Sequence, residues 1–231
     1  MTKHAPASLI YVALGDSLAV GTGASYKGYV DRYADYLRAD TSAQVSVTNL
    51  GQDGQTSSEL LYALRNDASS RQAVSAANVI TFNAGLNDLG HAGEAYENGT
   101  CGGANNLDCL RAAVEAFKEN WYAIIAELLS LRSSTETLIR TIGIGHTPTI
   151  FVDDAITSWP SEGKIEDFRV LKPYVEEVNY HIATTTADKD VPYVEVYLEK
   201  AHVNPDGVHP NDEGYQVIAE QLRELGYSHL E

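Results

Sequence analysis

Basic residues are scarce in this chain: 16 Lys plus Arg stand against 32 Asp plus Glu, a net charge of −16 over 231 residues. A nucleic-acid backbone needs a basic footprint, so no nucleic-acid partner is expected. Docking on an anionic membrane by charge alone is disfavoured for the same reason. Long apolar runs are missing as well. None approaches the ~18 residues needed to cross a bilayer, so no stable membrane insertion is expected. Cysteine is limited to Cys101 and Cys109. Two thiols cannot build a four-ligand zinc site, and no His lies at a matching spacing; neither a metal nor another cofactor is expected. The pair reads as one disulfide pinning a Gly-rich loop, because Gly102 and Gly103 let the chain turn back. Such a bridge would contribute on the order of 2–3 kcal/mol. The alternative is two unpaired thiols in a reducing cytosol. The start, Met-Thr-Lys-His-Ala-Pro, has no signal-peptide apolar region, and Leu230-Glu231 reads as a cloning scar. The expectation is a secreted protein in its mature form behind a fresh Met1, with a cytoplasmic protein as the alternative.

What remains is an ordinary globular balance, 44% hydrophobic and 21% charged. It suits one domain over residues 1–231, expected to be monomeric. Strand-like and helical patterns alternate along it. Leu9–Leu14, Val45–Leu50, Val79–Phe82, Thr137–Ile142 and Val191–Tyr197 read as five strands. Tyr29, Val30, Tyr33, Tyr36 and Leu37 fall at helical spacing. Thr56-Ser-Ser-Glu59 is a capping box. Further helices are expected over about 108–131, 165–184 and 211–225. This α/β alternation predicts a mostly parallel sheet with helices on both faces. The longest irregular stretches are about 90–107, an insertion that would serve as a lid, and 143–163.

Four motifs follow strands or open a helix at one edge of that sheet, where open parallel sheets bind ligands. Gly15-Asp16-Ser17-Leu18 follows the first strand and would project the Ser17 hydroxyl above the sheet. Gly51, after the second strand, can aim a backbone N–H into a cleft. Gly85-Leu86-Asn87-Asp88 follows the third strand, and the Asn87 carboxamide can donate to a developing oxyanion. Asp206-Gly-Val-His209-Pro210 precedes the last helix; Asp206 can accept from His209 Nδ1, freeing Nε2 to take the Ser17 proton. Each motif alone has a bland reading as a turn. Together they supply nucleophile, base, orienter and an oxyanion hole of Ser17 N–H, Gly51 N–H and Asn87.

The order Ser17, Gly51, Asn87, His209, with Asp206 three residues before the His, resembles the SGNH/GDSL hydrolases. Residues 11–23 (YVALGDSLAVGTG), 82–89 (FNAGLNDL) and 206–210 (DGVHP) are similar to its bacterial esterase and lysophospholipase-like branches. The resemblance covers nearly the whole chain. It implies a flavodoxin-like three-layer α/β/α sandwich around a five-stranded parallel sheet. It also implies acyl transfer through Ser17, with Asp206 and His209 completing the catalytic set and no cofactor or metal. The insertion with its Cys pair departs from the pattern.

Other candidates have weaker claims. Asp16 and Asp88 read as structural carboxylates in their turns. His91 and His146 follow strand ends but read as polar loop residues. His4, His181, His202 and His229 read as peripheral, and Trp159-Pro160 as either a substrate contact or a core cover. The expected partner is a small ester, lipid or acylated sugar. The leading reading is an esterase for short or medium acyl esters or lysophospholipid-type lipids. A carbohydrate O-acetyl esterase is the alternative, and a non-catalytic binding module on the same fold stands behind both.

Overall fold

A computed structural model describes residues 8–144, 168–228 and 230. His4, His146, Trp159, Pro160 and His229 therefore lie outside the described residues, as does most of the 143–163 stretch. Five strands form one sheet: β1 (Ser8–Leu14), β2 (Gln44–Asn49), β3 (Val79–Phe82), β4 (Leu138–Ile142) and β5 (Tyr193–Val194). Their order is β2-β1-β3-β4-β5, and every pairing is parallel. This is the flavodoxin-like order. The chain leaves β1 toward one side and returns at β3 on the other, which opens a crevice at the carboxyl ends of β1 and β3.

Burial on both faces explains why β1 and β3 read as mostly apolar runs, whereas β2, at the sheet edge, alternates. Val12, Leu14, Ile80, Phe82 and Ile139 point into one core. Four helices cover it: α3 (Ser57–Asn66), α4 (Ala68–Ala76), α6 (Asp108–Leu131) and α7 (Phe168–Ala187). Trp121 stacks there between Phe82 and Phe117. Leu9, Tyr11, Ala13, Val79 and Leu138 point into the opposite core, under α2 (Tyr29–Thr41) and α8 (Asp212–Glu224). Leu230 is buried in this layer too. Two helices sit at the carboxyl edge of the sheet, the short α1 (Ser17–Val20) and α5 (Leu86–Glu97).

The capping box forms as expected: Thr56 accepts from Glu59 N, and the Glu59 carboxylate accepts from Thr56 N. The expected irregular insertion over 90–107 is corrected. Residues 86–97 are helical, and only about 98–107 is irregular. Gly90 and Gly93 are poor helix formers, yet both are buried in α5, which packs on α6. Packing overrides their poor propensity. The sulfurs of Cys101 and Cys109 are bonded across the following loop. Asn106 holds that loop by accepting from Cys101 N at 2.9 Å and donating to Tyr96 O at 2.8 Å. Among the described residues, no helix is long and apolar enough to cross a membrane.

Candidate active site

Ser17 is the first residue of α1, immediately after the turn that ends β1. Gly15 makes this turn possible. Its φ is +132°, and a Cβ there would stand 2.1 Å from Asn83 Oδ1. Asp16 caps α1 by accepting from Leu18 N at 3.0 Å. At the first helical position the Ser17 N–H has no intrahelical acceptor, so it remains a donor at the crevice.

His209 reaches Ser17 from the loop before α8. Its Nε2 lies 3.0 Å from Ser17 Oγ, and its Nδ1 lies 2.7 Å from Asp206 Oδ2. Asp206 Oδ1 accepts from Val208 N at 2.9 Å and from His209 N at 3.0 Å. Burial pulls the Asp206 carboxyl upward, but these N–H groups and the imidazole outweigh it and hold it below the usual carboxylate range. Asn204 secures the loop, donating through Nδ2 to Gly23 O and Pro210 O and through its backbone N–H to His209 O.

Asn87 stands at the start of α5. Its amide donates to Gln55 O at 3.0 Å and makes a longer contact of 3.4 Å to Asp16 Oδ2. The short bond fixes the carboxamide, and the long one leaves the second hydrogen weakly held. Gly51 also sits at the crevice, where a Cβ would come within 2.8 Å of Ala19 Cβ. Its N–H, however, donates to Asn49 Oδ1 at 3.0 Å. Asn49 in turn donates to Ala19 O at 2.7 Å. The Gly51 N–H can serve an oxyanion only by sharing with, or leaving, the Asn49 carboxamide.

Asp16 does more than its turn requires. Besides Leu18 N it accepts from Asn83 at 2.7 Å and contacts Asn87, linking the β1 turn to the end of β3. Burial raises its carboxyl above the ordinary value against the pull of those hydrogen bonds. Asp88 ties α5 to α3 by accepting from Ser57 N at 2.9 Å and from Ser57 Oγ. His91 is exposed on α5 rather than in a loop, His181 packs against Phe117 and Tyr122, and His202 accepts from Glu199 N.

A cavity of about 50 Å³ opens beside Ser17 and His209. Leu86, Ile144, Val196, Leu198, Val208 and Ile218 give it an apolar lining, with Asn83 at one wall. The motif reading missed these lining residues, whose apolar side chains resemble any core position in sequence.

A flavodoxin-like sheet with serine, imidazole and carboxylate in sequence at its switch point defines a carboxylic ester hydrolase of the SGNH type. The chain belongs to the GDSL-like Lipase/Acylhydrolase family, whose sequence profile matches residues 13–217. It is similar to the spore germination lipase LipC of Bacillus licheniformis, 27% identical over 233 residues, spanning 97% of this chain and 99% of that one. Among solved structures it resembles the lipase Lip_vut3 from a goat rumen metagenome. That likeness has a TM-score of 0.78 and 25% identity, covering 97% of this chain and 100% of the other. The fold is also that of Axe2, an acetylxylan esterase from Geobacillus stearothermophilus. There the TM-score is 0.63 at 17% identity, with 97% of each chain covered.

Proposed function

We propose that the protein hydrolyses esters of short acyl chains through a covalent acyl-Ser17 intermediate. The observation that carries this reading is the contact of Ser17 Oγ with His209 Nε2 while Asp206 holds Nδ1. His209 takes the hydroxyl proton as Oγ attacks the ester carbonyl. The carbonyl π pair moves onto oxygen, where Ser17 N–H and Asn87 Nδ2 donate to it, joined by Gly51 N–H once Asn49 yields. The tetrahedral species collapses, the C–O bond to the alcohol breaks, and His209 delivers its proton to the departing oxygen. Water then attacks the acyl-enzyme with His209 again as base, releasing the acid and restoring the Ser17 hydroxyl. Asp206 keeps the ring oriented and stabilises the imidazolium in both halves.

The small apolar cavity beside Ser17 supports a short acyl group. A nitrophenyl ester series from acetate to decanoate tests this, with Ser17→Ala as control. kcat/KM is expected to peak at the short end and to vanish in the variant. A peak at decanoate would refute the short-chain assignment, and retained turnover by Ser17→Ala would refute the nucleophile. The Cys101–Cys109 disulfide supports work in an oxidising, extracytoplasmic setting.

A further inference from the structure

The cavity beside Ser17 takes part of its wall from backbone that no strand holds. The ladder between β4 and β5 ends where Gly143 N donates to Val194 O at 3.0 Å. Ile144 follows, and both it and Gly143 line the cavity. Ile144 is only 3% exposed. A buried peptide group left unpaired is costly, so its N–H and C=O need partners from outside the sheet. Asn179, in α7, supplies both. Its Oδ1 accepts from Ile144 N at 2.9 Å, and its Nδ2 donates to Ile144 O at 2.8 Å.

This clamp depends on the chemistry of a carboxamide, which carries an acceptor and donors in one plane. It pairs with the two groups of a single residue much as a neighbouring strand would. Asn179 is itself buried, and Val175, Val178 and Ile182 seat its helix in the core. The clamp therefore ties Ile144 to a packed element. Gly143 leaves the room it needs: a Cβ there would stand 2.8 Å from Asn179 Oδ1 and 2.5 Å from Tyr193 OH. Ile144 also meets the start of α5. A Cβ on Gly85, the N-cap of that helix, would come within 3.3 Å of Ile144 Cγ2.

We propose that Asn179 is a positioning residue for acyl selection: by clamping the Ile144 backbone it holds the Ile144 side chain as a fixed wall and so limits acyl length. The inference rests on the short-acyl reading of the cavity. Asn179 acts through Ile144 and does not itself line the cavity. Its loss should therefore change how an acyl chain fits and spare proton transfer between Ser17 and His209.

The test measures kcat and KM for nitrophenyl acetate, butyrate and octanoate. The parent, Asn179→Leu, Ile144→Ala and the double variant are compared, each well below its own melting temperature. Leu keeps the branched shape of Asn and removes both hydrogen bonds; Asn179→Ala takes its place if the Leu variant does not fold. Asn179→Leu is expected to lower the butyrate-to-octanoate ratio of kcat/KM by about tenfold, the discrimination of one methylene in an apolar pocket. The change should come through KM, with kcat on acetate close to that of the parent. Ile144→Ala should shift the ratio in the same direction, and the double variant should shift it no further, because both substitutions act on one wall. An unchanged ratio in Ile144→Ala would overturn the proposal. So would an Asn179→Leu loss equal on all three esters, additive shifts in the double variant, or failure of both Asn179 variants to fold, which would make the clamp a stability device alone. A parent that prefers octanoate to butyrate would overturn the short-acyl reading itself, an outcome distinct from a parent preferring butyrate whose ratio ignores Asn179.

Discussion

Replacing Asp206 by Asn tests the centre through the position of one proton. Asp206 Oδ1 accepts two backbone N–H groups, from Val208 at 2.9 Å and His209 at 3.0 Å, while Oδ2 lies 2.7 Å from His209 Nδ1. An Asn side chain has one oxygen, and the two N–H groups draw it to the place of Oδ1. Its NH₂ is then aimed at Nδ1, which must accept. The imidazole carries its own proton on Nε2 and presents a donor to Ser17 Oγ, so it cannot take the hydroxyl proton. A wrong-tautomer substitution of this kind lowers kcat about 10⁴-fold, equivalent to about 5.5 kcal/mol. Asp206→Ala behaves differently. It leaves the ring free to adopt the productive tautomer, but it strips both N–H groups of their acceptor at a cost of about 1 kcal/mol each. The two variants should therefore rank in opposite order in two assays. Asn is the worse in nitrophenyl butyrate hydrolysis, and Ala is the worse in thermal unfolding. An Asn variant within about tenfold of the parent in kcat would refute the reasoning, as would Ala proving slower than Asn.

Asn87→Ala removes an oxyanion donor and is expected to lower kcat by about 10²–10³-fold with little change in KM, read from steady-state kinetics. Gly15→Ala places a methyl 2.1 Å from Asn83 Oδ1 at a φ of +132°. Strain and overpacking together should destabilise the fold by roughly 2–6 kcal/mol in denaturant unfolding. Asp67 caps α4, and hydrogen bonds from Ser70 and Ser69 depress its carboxyl to about 2 from 3.8. A depressed folded value means the stabilisation is complete above 3.8 and disappears as pH falls toward 2. The melting difference between parent and Asp67→Ala should therefore be constant near neutrality and close within that window. The double variant Cys101→Ser, Cys109→Ser should lose about 2–3 kcal/mol of stability in denaturant titrations, since the bridge closes a short loop.

Hydrophobic pattern revealed most of the fold because burial on both faces writes β1 as a nearly unbroken apolar run and leaves β3 and β4 mostly apolar, with Thr81, Arg140 and Thr141 buried among them. It failed where burial is sparse. Helix α4 has only Ser70 and Val74 buried, so no apolar stripe announces it; the signal was Asp67 ahead of Ser69 and Ser70, a cap rather than a period. The fifth strand was expected over Val191–Tyr197 and forms only at Tyr193–Val194. It pairs with β4 alone, and Pro192 has no N–H to extend the ladder.

The site was legible to the extent that it is local. Ser17, Asn87 and the Asp206–His209 pair each sit in a short turn motif, and the order of strands brings those turns to one edge. What motifs did not show is how the turns hold one another. Asp16 reaches Asn83 and Asn87 across about 70 positions, and Asn87 is fixed by a backbone carbonyl of Gln55, a bond that leaves no trace in residue identity. The cavity beside Ser17 is of this second kind too. It is assembled from Leu86, Ile144, Val196, Leu198 and Ile218, scattered over several elements. A change of the Gln55 side chain should leave Asn87 anchored, since the bond runs to the backbone carbonyl.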